Sequence, residues 1–333
     1  MRPILLLLFV ALAATAGEAG RPWSRDDDAM VRLPRLPKPV ATAIAGPAAA
    51  ENFIPGVRVA KGQRVVLDGT LAFDQGPQDG MEVLACLKDG KTHESMIRLD
   101  TNNGQLIKAA VLAALGPDDG VPAGEASGIP ARGTPVRLTV QWQDQDGHWF
   151  EAPASCLVRD RATDQGHPPV PWIYTGSRFV TVPWGGDGGT QKRQVFMLDS
   201  TRSVAVNFDE PDALLASPFP GAASDDRFEA NSSILPPQGT RVRLVIEAAT
   251  LPLTLTLGAD GTLASRGQTL EDDALDALLV QHYGPAATPA LRAVAIAVAA
   301  DADHALDLAA RTRVLAAAAR AQVWVIPVFV LAK

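Results

Sequence analysis

The chain has 333 residues, of which 47% are hydrophobic, 20% charged and 5% aromatic. That length holds about two domains, and the apolar fraction excludes a disordered or collagen-like chain. Thirty Lys and Arg against 37 Asp and Glu give a net charge of -7, which argues against nucleic acid as a partner; two cysteines exclude a disulfide-stapled scaffold and a four-thiolate metal site.

The N-terminus has the pattern of a secretory signal. Arg2 supplies the positive charge, residues 4–14 are apolar, and Ala14-Thr15-Ala16 is a small-x-small site with cleavage expected after Ala16. The apolar run falls short of the roughly 20 residues that span a bilayer. The chain is therefore expected to be periplasmic or secreted, with no transmembrane segment after cleavage. Residues 17–51 carry Asp26-Asp27-Asp28 and a Pro-spaced basic run from Arg32 to Pro39, then an Ala/Gly/Pro stretch. Such a segment buries little and is expected to be a flexible tether.

From Gly56 the pattern becomes strand-like. Strands are expected at 57–60, 64–73, 81–88 and 92–99, the last two joined as a hairpin by Asp89-Gly90. Residues 103–115 have helical spacing, with Asn102 or Asn103 as cap and Gly116-Pro117 as stop. Further strands follow at 134–143, 148–151, 178–182, 194–198 and 203–208, with Gly185–Gly189 as a hairpin tip. Residues 218–240, rich in Ser, Pro and Gly, read as a linker. Beyond it strands are expected at 241–248, 253–257, 262–265, 293–299 and 323–331, with helices at 272–283 and 306–321. That order is β-β-β-α-β-α-β. The expected fold is α+β: a β-rich domain over 52–217 with one main helix, then a small α/β domain over 241–333 with two helices on a mixed sheet.

The stretch from Cys86 to Ser95, with Gly90-Lys91-Thr92-His93-Glu94-Ser95, resembles the signature of the YdjY family. The helix leading to Leu115-Gly116 and Gly120, the strand and turn at 140–147, Pro171-Trp172-Ile173-Tyr174-Thr175-Gly176-Ser177, and the acidic segment 207–212 fit the same family. The resemblance covers about 52–217 and implies no activity. Some relatives are labelled ferredoxin-like, which this chain's cysteine content does not match. Residues 241–333 are similar to the periplasmic module of the ExbD/TolR family, on the Asp260-Gly261 turn, the two helices and the strand running into Ala300-Asp301. The family's transmembrane helix is absent, so the similarity implies a fold and a binding role.

Candidate chemistry is sparse. There is no Gly-x-Ser-x-Gly elbow, P-loop or dinucleotide fingerprint, and no cofactor is expected. Lys91, His93 and Glu94 are the candidate binding residues. His93 and Glu94, adjacent in an expected strand, are expected to face opposite ways; they form either a satisfied internal network or a functional surface. Cys86 and Cys156 are the only thiols. A disulfide between them, two free core thiols and a Cys86/His93 metal site all remain open. Asp144, Asp146 and Gly147 have part of a calcium-loop spacing, which a type I′ hairpin turn at Asp146-Gly147 accounts for better. Trp172, Tyr174, Phe179 and Trp184 read as core and edge aromatics. The expected function is non-enzymatic binding or scaffolding toward an envelope protein or peptidoglycan; the alternative is a metal-dependent or redox protein centred on His93, Glu94 and Cys86.

Overall fold

The computed structural model describes residue 30 and residues 32–76, 80–124, 128–184, 191–287 and 290–332, without the side chain of Trp184. The expected signal segment, its cleavage site, Asp26–Asp28 and the tip 185–189 lie outside the described residues. Eight strands close into a barrel: β1 (Arg64–Leu71), β2 (Val83–Cys86), β3 (Ser95–Leu99), β4 (Thr134–Gln143), β5 (Trp172–Tyr174), β6 (Ser203–Val206), β7 (Leu215–Ala216) and β8 (Arg241–Ala248). Around the ring the order is β8-β4-β5-β7-β6-β2-β3-β1, and β1 pairs with β8 to complete it.

Alternation sets the inward faces of these strands. Val65, Leu67 and Leu71 of β1, Val242, Leu244 and Ile246 of β8, and Val136, Leu138 and Val140 of β4 share one core. The residues between them face outward, as the period of two requires. Helix α1 (Gly104–Leu115) packs Ile107, Ala110 and Val111 into the same core; Asn103 accepts the Leu106 amide and Gly116 ends the helix in the left-handed region. Short helix α2 (Met197–Thr201) precedes β6.

This architecture corrects the expected fold class. Residues 241–248 form the strand that was expected, but it is not the first strand of a separate α/β domain. It is the barrel's closing strand, in register with both β1 and β4 along its length. The α+β arrangement, with one main helix in a first domain and two in a second, is replaced by a closed barrel with four α-helices of five residues or more among the described residues. Periodicity specifies a strand and its inward face, and says nothing of which strands it pairs with.

A second correction concerns β2 and β3, which are parallel neighbours and not a hairpin. Gly90 N–H donates to the Leu87 carbonyl and Glu94 N–H to the Lys91 carbonyl, making two successive turns. Two reversals restore the original direction. The β6–β7 pair is also parallel, joined by residues 207–214 alone. Both connections are shorter than the dozen or more residues that usually join parallel strands.

The remaining chain builds a five-stranded sheet, ordered β11-β10-β9-β12-β13, from β9 (Thr254–Leu257), β10 (Leu263–Ser265), β11 (Gln268–Thr269), β12 (Ala293–Val298) and β13 (Ile326–Leu331). β9, β12 and β13 are parallel and connected through α3 (Asp272–Tyr283) and α4 (His304–Arg320). This sheet shares one continuous core with the barrel. Gly133 N–H donates to the Phe329 carbonyl at 3.1 Å and Arg292 N–H to that of Pro169 at 2.8 Å. Within the expected tether, Thr42–Ile44 pairs antiparallel with the strand Trp149–Pro153, and Met30 and Leu33 are buried in the core. Among the described residues no helix is long and apolar enough to cross a membrane.

Candidate functional site

The two short crossovers, 87–94 and 207–214, lie side by side over the wall formed by β2 and β6. Beneath them Val83, Cys86, Val206 and Ala213 form a small core of their own. Between them opens a cleft of about 600 Å³, lined by Glu82, Lys91, His93, Arg202, Glu210 and Asp212 among others. The crossovers hold the cleft's shape. Ser95, fully buried, donates its hydroxyl to the Lys91 carbonyl at 2.6 Å. The Glu82 carbonyl accepts from Asn207 N–H at 2.7 Å and Phe208 N–H at 3.1 Å, which ties one crossover to the start of β2.

The three expected binding residues meet here. His93 and Glu94 sit in the turn before β3 and not in a strand, so the expectation of opposite faces does not hold. His93 Nε2 lies 3.0 Å from Glu94 Oε1. Lys91 Nζ stands 3.5 Å from Glu94 Oε2 and 3.5 Å from Glu82 Oε2. Glu94 Oε2 is buried and accepts no hydrogen bond. Glu210, from the other crossover, faces the same ammonium.

Three carboxylates thus share one lysine. Burial, then the charge of Glu94, push the Glu82 carboxyl above its ordinary range. Burial does the same to Glu210, against hydrogen bonds from Ser203 and Thr201 and the pull of Lys91. Burial draws Lys91 down, and Glu210, Glu94 and Glu82 together more than offset it, so its pKa lies above the ordinary value. On the far wall Arg178 Nε donates to Asp212 Oδ1 at 2.6 Å, and Ser177 donates its hydroxyl to the Asp212 carbonyl. Arg202 caps α2 in the left-handed region, φ 67°.

Cys86 is adjacent to this cleft and closed off from it. It is fully buried, and a Cβ on Gly90 would stand 2.8 Å from its own. Burial raises its thiol pKa, which disfavours the thiolate that redox or metal chemistry uses. Cys156 is likewise buried, its thiol pushed up to about 12 by burial, and both cysteines are free.

Glu82, Glu210, Arg202 and Arg178 were not among the residues singled out from the sequence. Glu82 follows Met81 at the start of an expected strand, and nothing local marks it. Glu210 belongs to the acidic segment 207–212 that entered through the YdjY resemblance, so a signal for the second crossover existed. The Asp144 turn joins a hairpin, but not as the type I′ turn expected at Asp146-Gly147: Asp144 Oδ1 accepts the amides of Asp146 and His148, and of that pair only Gly147 has a positive φ, 87°. Trp172 and Tyr174 are buried, while Phe179 is exposed on the Phe179–Trp184 strand. No family model, no curated protein and no solved structure matches the chain.

Proposed function

We propose that this chain is an exported, non-enzymatic binding protein of the cell envelope, and that the cleft between its two crossovers receives a ligand bearing a positively charged amine. One observation carries the reading: Glu82, Glu94 and Glu210 converge on the single ammonium of Lys91, with a Glu94 oxygen buried and unbonded. Burial holds the Glu82 and Glu210 carboxyls above their ordinary range, so their charged forms gain from an added cation. A further cation entering beside Lys91 would relieve that deficit, and buried charge pairs gain most when fully partnered. The resemblance of 52–217 to the YdjY family includes both crossovers among its matching segments, and the signal-like N-terminal sequence supports an envelope setting. An amine on a peptidoglycan stem peptide or on a basic segment of an envelope protein has the required chemistry. Burial of Cys86 weighs against the redox alternative.

The test is calorimetric titration of the full mature chain with a muropeptide carrying a free side-chain amine, beside its N-acetylated form. Binding that is lost on acetylation and in Glu94→Gln supports the reading. Equal binding of the acetylated form, or none of either, overturns it.

A further inference from the structure

A second surface lies on the barrel's outer wall, independent of the cleft. Cross-strand register stacks its side chains in rows. Arg98 of β3 stands opposite Thr70 of β1, and Thr70 opposite Arg241 of β8. One row on, Asp68 stands opposite Arg243. Arg58, from the strand Val57–Ala60, reaches the same Asp68. Four guanidinium groups therefore share two carboxylates, on a chain whose net charge is -7. Asp68 takes Arg58 at 2.6 Å and Arg243 at 3.5 Å; Asp100 takes Arg241. Arg98 is exposed and adds its charge to Arg241 beside Asp100. Arg241 is 62% exposed at its side chain and also donates to Thr70 Oγ1 at 2.8 Å. Arg243 lies 5.0 Å from the Trp149 ring. Burial, and then Arg58 alongside, lower its pKa, against the pull of Asp68.

We infer that this wall binds an acidic polysaccharide, a chain that presents carboxylates and hydroxyls in alternation. Guanidinium forks match carboxylates in bidentate geometry. Asp68 and Asp100, set among the arginines, accept from sugar hydroxyls. The same aspartates repel a phosphate backbone, whose dense charge a net-negative chain also opposes. Bases have no free stacking face here, since a guanidinium covers Trp149. A bilayer finds no apolar entry in these rows: Val66 and Val245, the outward valines next along, are buried with Ala48 packed on them.

The experiment measures binding of the full chain to polygalacturonate at low ionic strength, with neutral dextran, polyuridylate and phosphatidylglycerol vesicles alongside. The expected result is binding to polygalacturonate that weakens with salt, and none to dextran. The double variant Arg98→Gln/Arg241→Gln, with its thermal melt unchanged, weakens it by about tenfold or more. Arg266→Gln, an exposed arginine in the β10–β11 turn, leaves it unchanged. Absence of binding, retention by the double variant, or tighter binding to polyuridylate or vesicles overturns the inference. Failure of the muropeptide titration leaves it untouched, because no residue is shared with the cleft.

Discussion

Arg132, on the segment entering β4, inserts its guanidinium into the joint with the C-terminal sheet and donates from Nε to Asp307 Oδ2 at 2.8 Å. Both side chains are buried, and the same guanidinium donates to the carbonyls of Ala299, Ala300 and Ala302 and to His304 Nδ1. One cation thereby closes the end of β12 and the start of α4. Removing one partner strands the other's charge in the core. Arg132→Met is expected to cost about 3–5 kcal/mol in a denaturant melt. Arg132→Met/Asp307→Leu is expected to recover part of that loss. A loss below 1 kcal/mol for the single variant would show that the pair is not what holds the joint.

Strand β8 gives the second prediction. It bonds β1 on one side and β4 on the other. A chain truncated after residue 240 opens the barrel and leaves two unpaired edges, the arrangement that promotes aggregation. The fragment 241–333 carries away that strand and leaves the buried faces of Trp324 and Phe329 uncovered. Neither piece is expected to show a cooperative thermal transition, and mixing them is expected to restore one. A cooperative melt of the fragment alone would establish two independent cores.

Much of this fold was legible one element at a time. The helices Gly104–Leu115 and Asp272–Tyr283 and the strand Arg241–Ala248 are signalled by period, cap and turn residues. Closure was not legible, because the alternation of Val242, Leu244 and Ile246 is the same whether the strand starts a sheet or closes a barrel. The parallel pairing of β2 and β3 was hidden because Asp89-Gly90 supports one turn as well as two. Of the cleft, Lys91, His93 and Glu94 could be read as a polar insertion ahead of Met96 and Ile97. Glu210 could not be joined to them, since 119 positions separate it from Lys91 and only the pairing of β2 with β6 brings the crossovers together.

Two buried groups oppose each other in pH. His167 is stacked on Phe219 with ring centroids 3.9 Å apart, and burial lowers its pKa to about 4 from 6.5. A base with a depressed folded pKa contributes stability above 6.5 that is lost as pH falls toward 4. Burial raises Asp209 to about 7 from 3.8. That carboxyl favours the fold most below 3.8 and loses its contribution as pH rises through 7. Each effect is on the order of 3 kcal/mol, so the wild-type profile is expected to be nearly flat between pH 4 and 7. His167→Phe is expected to gain stability on acidification and Asp209→Asn to lose it, read by denaturant melts at both pH values. Parallel profiles for the two variants would refute the assignment.

Lys91 is the last test, because its loss separates the cleft's electrostatics from its shape. Lys91→Met keeps the aliphatic stem and removes the one ammonium facing Glu82, Glu94 and Glu210. The carboxyls then repel one another, and their pKa values rise further than burial and Glu94 already drive Glu82. The sign follows from linkage: a carboxyl raised above its unfolded value binds more protons in the fold, so stability falls as pH rises through the folded value. The deficit of the variant is expected to shrink as pH falls and Glu82 and Glu210 take up protons. At pH 7 the variant is expected to be less stable by about 1 kcal/mol, a modest figure because these groups are only partly buried. Lys91→Met/Glu82→Gln is expected to recover most of the deficit by removing one of the repelling charges. A pH-independent loss in Lys91→Met, undiminished by Glu82→Gln, would mean that Lys91 holds the crossover by packing and that the three carboxylates do not form one electrostatic unit.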